Sequence, residues 1–291
     1  MATLVSQSEQ KFVEVGVEQN IRNDGRSRLD SRPISIDSEQ IPQAFGSSKV
    51  ALCQRMDGGG LTDVLVVIKG EVVAPHSDHP GEGFIDVSVN CSSSLYANTS
   101  DRRNICEELT SDLSFALQRM LSSFPLDSLC VMKGRFCWRL YADVFISNDD
   151  GNLLDVASYA LWIALNRTKL PRLKAVAAQA GFQDDFFLDS EPTSTITLKA
   201  DQVPIFITFN HIGNHFIIDA TKHEENCRTG LVSIAVNPSG NFCGTYQDGR
   251  VTCNQQALIE LMGHAQSSAF ALFHGLEAAR EEGTNKSTPT I

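Results

Sequence analysis

A chain of 291 residues with 42% hydrophobic and 20% charged residues has enough apolar material for one large or two modest domains with real cores. No apolar run reaches the roughly twenty residues a membrane-spanning helix needs, and Met1 to Gln10 lacks the basic start and apolar stretch of a signal peptide. A net charge of −11 argues against a free-standing nucleic-acid binder unless its basic residues gather on one face or a partner supplies them.

In chain order, Gln10 to Asn20 reads as a short helix, followed by four arginines, Arg22, Arg26, Arg28 and Arg32, within eleven residues. That run fits an anion-facing or partner-facing arm, and equally a solvated loop with local ion pairs. Pro33 to Val50 continues as a strand with a turn at Gly46-Ser47-Ser48, and Arg55 to Gly60 is a loop tip by composition. Thr62 to Val73 is β-branched and apolar almost throughout, as in a strand buried on both faces. Pro75 to Gly83 is a surface loop whose His76 and His79 have no third metal ligand nearby. Phe84 to Cys91 alternates as a strand. Ile105, Leu109, Leu113, Ala116, Leu117, Met120, Leu121 and Phe124 then recur at helical spacing and predict a helix lying on the sheet.

Lys133 to Leu170 is the most ordered stretch. Phe136, Trp138, Leu140, Ala142, Val144 and Ile146 alternate with more polar positions, the period of two of a half-buried strand. Asn148-Asp149-Asp150-Gly151 is a turn by composition. Asn152 is placed to cap the next helix, with Asp155 in its first turn. Val156, Ala157, Ala160, Leu161, Ala164 and Leu165 form its apolar stripe, and Pro171 is expected to end it. A strand feeding a helix through such a turn suits a phosphate or nucleotide, and suits a purely structural unit as well.

Leu173 to Gly181 is ambiguous, and Asp184 to Thr195 reads as the connection between two halves. Short strands follow at Ile196 to Lys199, Pro204 to Ile212, His215 to Ala220, Gly230 to Asn237 and Phe242 to Gln247. Turns fall at Ile212-Gly213-Asn214 and Pro238 to Asn241. A long helix from Gln256 to Arg280 carries Leu258, Leu261, Met262, Ala265, Ala269, Leu272, Phe273 and Leu276 on one face. Strands followed by helix appear twice, an α+β arrangement with weak internal duplication. The expected division is an N-terminal helix and arginine-rich arm at 1–32, a first half at 33–172, a connection at 173–195, a second half at 196–280 and a disordered tail at 281–291. The eight cysteines, at 53, 91, 106, 130, 137, 227, 243 and 253, form no CxxC pair and predict buried free thiols in a reducing compartment.

One ordered set of motifs resembles a known family. It comprises Arg22-Asn23-Asp24-Gly25-Arg26, Cys137-Trp138-Arg139-Leu140-Tyr141-Ala142-Asp143-Val144, and Asp150-Gly151-Asn152-Leu153-Leu154-Asp155. Val203-Pro204-Ile205 with Ile212-Gly213, and Asp219-Ala220-Thr221 with Glu224-Glu225, complete it. Together, from about Lys11 to Arg280, they are similar to the RNase PH-like subunits of the eukaryotic RNA exosome ring. The resemblance implies an RNase PH-like fold (ribosomal protein S5 domain 2-like) of two related β/α halves. It implies a place in a hetero-oligomeric six-membered ring of related chains, S1/KH cap subunits and RNA as further partners, and no membrane. The expected role is in ribosomal RNA maturation and messenger RNA turnover, in nucleus, nucleolus and cytoplasm.

Phosphorolysis of RNA needs amides, hydroxyls and arginine for phosphate, and a carboxylate pair for Mg²⁺. Active members of the family resemble one another in a Gly-Gly-Thr/Ser-Arg turn after the central strand, where this chain reads Gly151-Asn152-Leu153-Leu154. They also carry two acids six apart after the Asp-containing strand. Counted from Asp219, these positions are Glu225 and Leu231, and a leucine neither ligates a metal nor moves a proton. The resemblance thus implies a non-catalytic subunit with a degenerate site at Gly151, Asn152, Glu225 and Leu231, without cofactor or metal. The alternative is an active phosphate-dependent 3′–5′ exoribonuclease. Arg102 and Arg103 fall where the family places basic residues facing its channel, and Arg119 lies farther along the same helix. The three are the candidates for RNA contact, and they equally suit exposed helix charges with no RNA role. Glu224 and Glu225 would be a relic of the site or part of an intersubunit ion-pair set, and a small phosphate ligand at Asp149 to Asn152 is a further possibility.

Overall fold

The computed structural model describes residues 5–38, 41–53, 60–96, 101–176, 185–188, 195–198, 200–251 and 254–282. Helix α1 (Gln7–Glu18) opens with a capping box, Ser6 accepting from the Glu9 amide and Glu9 accepting from the Ser6 amide. Strands β1 (Ile34–Ser38), β2 (Gly46–Cys53) and β3 (Leu61–Val73) are successive antiparallel neighbours. After β4 (Phe84–Cys91) come helix α2 (Arg102–Met120), 3-10 turns at Leu121–Ser123 and Leu126–Leu129, β5 (Cys130–Met132) and the long β6 (Phe136–Asn148). β6 lies between β3 and β4, and β5 pairs with it off the main order β1-β2-β3-β6-β4. The β4–β6 pair is parallel, which no hairpin can connect, so α2 makes the crossover.

Helix α3 (Leu153–Arg167) then leads to β7 (Lys169–Pro171), β8 (Leu173–Val176), β9 (Asp185–Leu188) and β10 (Thr195–Thr197), which form two small antiparallel pairs, β7–β10 and β8–β9. The second sheet holds β11 (Ile205–Ile212) and β12 (His215–Ile218), then, after helix α4 (Lys222–Cys227), β13 (Gly230–Val236) and β14 (Phe242–Gly249). Its order is β12-β11-β13-β14, all antiparallel, and helix α5 (Gln255–Glu282) packs on β11 and β13. The architecture is α+β, built as two β/α halves.

α3 joins the halves. It rests on β2 and β3 on one side and on β11 and α5 on the other, so thirteen of its fifteen residues are buried. A stripe was expected; the helix is enclosed all round because both sheets use it as core. Ser158 and Asp155 are buried with it for a definable reason. β12 pairs only with Phe209 to Ile212 of β11, and beyond it the amides of Phe206 and Thr208 donate to Ser158 Oγ (3.0 Å) and Asp155 Oδ2 (2.9 Å). The helix thus takes the place of a strand the sheet lacks.

Other local expectations change in context. Gly46 to Ser48 is strand, since all three residues pair with β3. α3 stops at Arg167, where Thr168 turns extended and bonds back to the Ala164 carbonyl, and Pro171 belongs to β7. In β6 the alternation holds from Trp138 to Ile146, but Cys137 is buried too. On α5, Leu261, Ala265, Ala269, Phe273 and Leu276 are buried while Leu258 is exposed. Among the described cysteines, Cys137 and Cys227 are buried, and Cys53, Cys91, Cys106, Cys130 and Cys243 are partly exposed. His76 and His79 face the acids Asp78 and Glu82 on the surface. Cys253, the tip at 54–59, most of the stretch 177–194 and the tail from 283 lie outside the described residues.

Trp162, 1% exposed and tilted against Phe273 at 5.6 Å, fills the space between α3 and α5. Trp162→Ala is expected to lower unfolding free energy by about 3–5 kcal/mol, read from the urea midpoint. Phe115→Ala, at a position 59% exposed, should cost less than about 0.5 kcal/mol.

Candidate functional site

The N-terminal arm, the turn after β6 and the turn after β12 converge on one buried carboxylate. Asp219 follows β12 with φ 47°, a left-handed conformation held by its partners. Its Oδ1 accepts from Arg32 Nη2 (2.7 Å) and from Asn152 Nδ2 (3.1 Å). Its Oδ2 accepts from the Arg32 amide (2.6 Å) and Arg26 Nη1 (2.8 Å). Arg32 reaches on to the Asp150 carbonyl (3.0 Å) and carboxylate (3.1 Å). Beside it, Arg22 grips Glu224 with Nε (2.8 Å) and Nη2 (2.5 Å) and donates to the carbonyls of Ile218 and Asp219. The arginine run is therefore neither a solvated loop nor an open anion-facing arm: Arg22 and Arg32 are 3% and 2% exposed and tie the arm to the second half. Arg28 bonds Asn20 and the His215 ring.

The turn Asp149 to Asn152 is pressed against the turn after Asp219. Gly151 has φ +87°, and a Cβ there would meet the Ala220 carbonyl oxygen at 2.4 Å and the Lys222 nitrogen at 2.8 Å. Only glycine satisfies both the conformation and the approach. Asn152, also left-handed at φ 61°, stands at the cap of α3, but its side chain bonds Asp219 and caps nothing.

The amides that might have received an anion are occupied. Gly151 N donates to Asp149 Oδ1 (2.9 Å) and Asn152 N to Glu225 Oε1 (2.9 Å). Lys222 Nζ bridges Asp149 Oδ2 (2.6 Å) and Glu225 Oε2 (3.3 Å), Arg228 stands 3.7 Å from Glu225, and Tyr96 OH donates to Asp149. Glu224 and Glu225 thus belong to pairs within the chain. The Asp149 to Asn152 turn presents the Gly151 and Asn152 amides to carboxylates and the Asp150 amide to the Thr62 hydroxyl. A cavity of about 160 Å³ opens beside this cluster, bordered by Asn152, Glu225, Leu231, Lys222 and Arg228. A divalent ion does not fit the donor set. Both Glu225 oxygens are engaged by hydrogen-bond donors or cations, and Leu231 faces the cavity with an aliphatic side chain. Of the other bordering acids, Asp112 and Asp248, the latter stands 4.0 Å from Arg228. Among the described residues no three His, Cys, Asp or Glu side chains converge to hold a metal.

Electrostatics sort these acids. Burial alone would raise Asp219, but the hydrogen bonds and charge of Arg32, with Arg26, outweigh it and hold the carboxyl below its ordinary range. Burial pushes Asp155 up to about 7 against the hydrogen bonds from Thr208. Burial would depress Lys222, yet Glu225 and Asp149 raise it overall, so it stays charged.

The structure brings Gly151, Asn152, Glu225 and Leu231 to one place. It separates the other predicted group. Arg102 and Arg103 start α2, while Arg119 sits in its last turn over the Phe115 ring (5.8 Å), some 24 Å farther along at about 1.5 Å per residue. Sequence reasoning singles out the Asp149 to Asn152 turn but misses Lys222, Arg228 and Tyr96 as members of the cluster. Lys222 and Arg228 flanking Glu225 at helical spacing was the available signal.

Two adjacent family models match the chain: 3′ exoribonuclease family domain 1 at residues 30–171 and domain 2 at 202–268. A Dictyostelium discoideum protein, provisionally described as an exosome complex exonuclease RRP42, is 28% identical over 97% of this chain and 99% of its own. The exosome complex component Rrp42 of Methanothermobacter thermautotrophicus is 30% identical over 78% of this chain and 79% of its own. Among solved structures, an archaeal exosome core superposes with a TM-score of 0.71 at 22% identity, covering 93% of this chain and 96% of the other.

Removing one partner of a buried pair leaves the other charge uncompensated, so Arg32→Ala should cost about 3–5 kcal/mol, measured by denaturant unfolding. Lys69→Ala, which breaks the exposed 2.7 Å pair with Asp143, should cost under about 1 kcal/mol. Asp155 titrates higher in the fold than in the open chain, so its contribution is complete below pH 4 and disappears as pH rises through about 7. Unfolding free energy should fall by on the order of 2 kcal/mol from pH 5.5 to 7. Asp155→Asn, whose amide can still accept from the Thr208 N–H and donate to the Thr208 hydroxyl, should flatten that slope.

Proposed function

We propose that this chain, which belongs to the 3′ exoribonuclease family, is a non-catalytic subunit of an RNA exosome ring that supports 3′–5′ RNA processing and decay without cutting. The observation that carries this reading is the occupied turn. Where active members present amides, a hydroxyl and an arginine to phosphate, this chain seats its own Glu225 on the Asn152 amide and locks it with Lys222. Phosphate would have to displace a paired carboxylate, and Leu231 supplies no second acid for a metal. Two separate losses at one reaction centre each remove orders of magnitude in rate.

The names of the relatives support the assembly: the archaeal relative is called an exosome complex component. On this reading the chain packs beside related ring subunits, with S1/KH cap subunits above, and works in nucleus, nucleolus and cytoplasm. Arg102 and Arg103 at the start of α2 suit phosphate contact along a channel, because their guanidinium groups stand at a helix N-terminus whose first turn holds no acid. Arg119, at the other end of that helix, would meet a different stretch of RNA or a neighbouring chain.

The purified chain, given Mg²⁺, orthophosphate and RNA with a free 3′ hydroxyl, should release no nucleoside diphosphate above the protein-free background. Release that Glu225→Gln abolishes would overturn the non-catalytic reading. Native mass spectrometry of the protein recovered from its own cells should give the mass of a multi-chain assembly, and a lone mass of about 31.8 kDa would remove the ring.

A further inference from the structure

Cys91 ends β4 and Cys106 lies in the second turn of α2, and both side chains line one open cleft of about 540 Å³. Neither side chain is buried. Arg102 and Arg103 line the same cleft, four and three residues before Cys106, the spacing that puts side chains on one helix face. Cys106 lies one helical turn from two guanidinium groups in a nineteen-residue helix, with Asp101 at the N-cap and Glu107 on the same cleft wall. Burial, with Cys106 and the charge of Asp149, pushes the Cys91 thiol up to about 11.

We propose that Cys91 and Cys106 form a reversible dithiol site for low-molecular-weight anionic disulfides of the glutathione class, with Cys106 attacking and Cys91 resolving. The Cys106 thiolate attacks one sulfur of the small disulfide, forming a mixed disulfide and expelling one thiolate. Cys91 then loses its proton to solvent and attacks the Cys106 sulfur, closing the Cys91–Cys106 bond and expelling the second thiolate. Two protein thiols give up two electrons and two protons, and the small disulfide takes both and leaves as two thiols. Arg102 and Arg103 hold the carboxylates of the incoming disulfide. The product ties the end of β4 to the start of α2. Cys130 and Cys137 supply an internal comparison: they are register partners on β5 and β6, but Cys137 is fully buried and closed to an anionic disulfide.

The test exposes the reduced full-length chain to oxidised glutathione at neutral pH, blocks remaining thiols by alkylation and maps the cysteines by peptide mass spectrometry. A Cys91–Cys106 cross-link is expected in the unaltered chain, and a lasting glutathione adduct on Cys106 in Cys91→Ser. Replacing both Arg102 and Arg103 with Ala should slow the reaction roughly fivefold. The proposal fails if adducts collect on Cys53 or Cys243 while Cys106 stays alkylated. It fails equally if Cys106→Ser leaves Cys91 reacting at the unaltered rate. Both outcomes are read on the isolated chain, so they are independent of its place in a ring.

Discussion

The bond on which the structure depends is the one between Arg32 and Asp219. It is buried at both ends, with 1% and 3% of the side chains exposed, and it joins three pieces of chain that share no secondary structure. Asp219 is satisfied by Arg32, Arg26 and Asn152, and Arg32 is satisfied in turn by Asp219, Asp150 and the Gly151 carbonyl. A buried ion pair often adds little net stability, because desolvation cancels much of the attraction. Its consequence here is positional. With the charges of Arg22, Arg32, Asp219 and Glu224 paired, the arm, the β6–α3 turn and the β12–α4 turn have one arrangement in which no buried charge is stranded.

That arrangement explains the enclosure of α3. The helix begins at a turn clamped to the second half and runs back beneath the first sheet, so its two sides become core for different sheets. Asp155 and Ser158 satisfy the β11 amides left uncovered by the short β12, a task that makes a carboxyl acceptable in an otherwise apolar interior. Asp155 Oδ1 accepts from Thr208 Oγ1 at 2.5 Å, and that hydroxyl continues to Ser233 on the wall of the cavity beside Glu225.

Charges are paired in the same way around the Asp149 to Asn152 turn. A scaffold that places a glycine turn, a helix N-terminus and an acidic helix around one cavity has the layout for handling phosphate. In this chain the acidic helix turns its carboxylate onto the turn, and lysine and arginine complete the neutralisation. Charges that could act on a ligand instead hold the two halves together. Arg102 and Arg103, at the start of α2, remain outside this network.

Much of the architecture was legible in the residues. The strands β3, β4, β6 and β11, the hairpins at Gly213 and Gly240 and the long α2 and α5 follow from periodicities and turn residues within a few positions of one another. Leu231 and the Gly151-Asn152-Leu153-Leu154 turn were equally plain, because an absent functional group is visible in the sequence itself. Tertiary structure alone decided that Arg22 and Arg32 are buried, that Asn152 reaches Asp219 and leaves its helix uncapped, and that Gly46 to Ser48 is strand. The physical reason is range: side-chain periodicity is set by neighbouring residues, whereas Arg32 meets its carboxylate across 187 positions of chain, and no local spacing encodes which distant charge a buried cation will find.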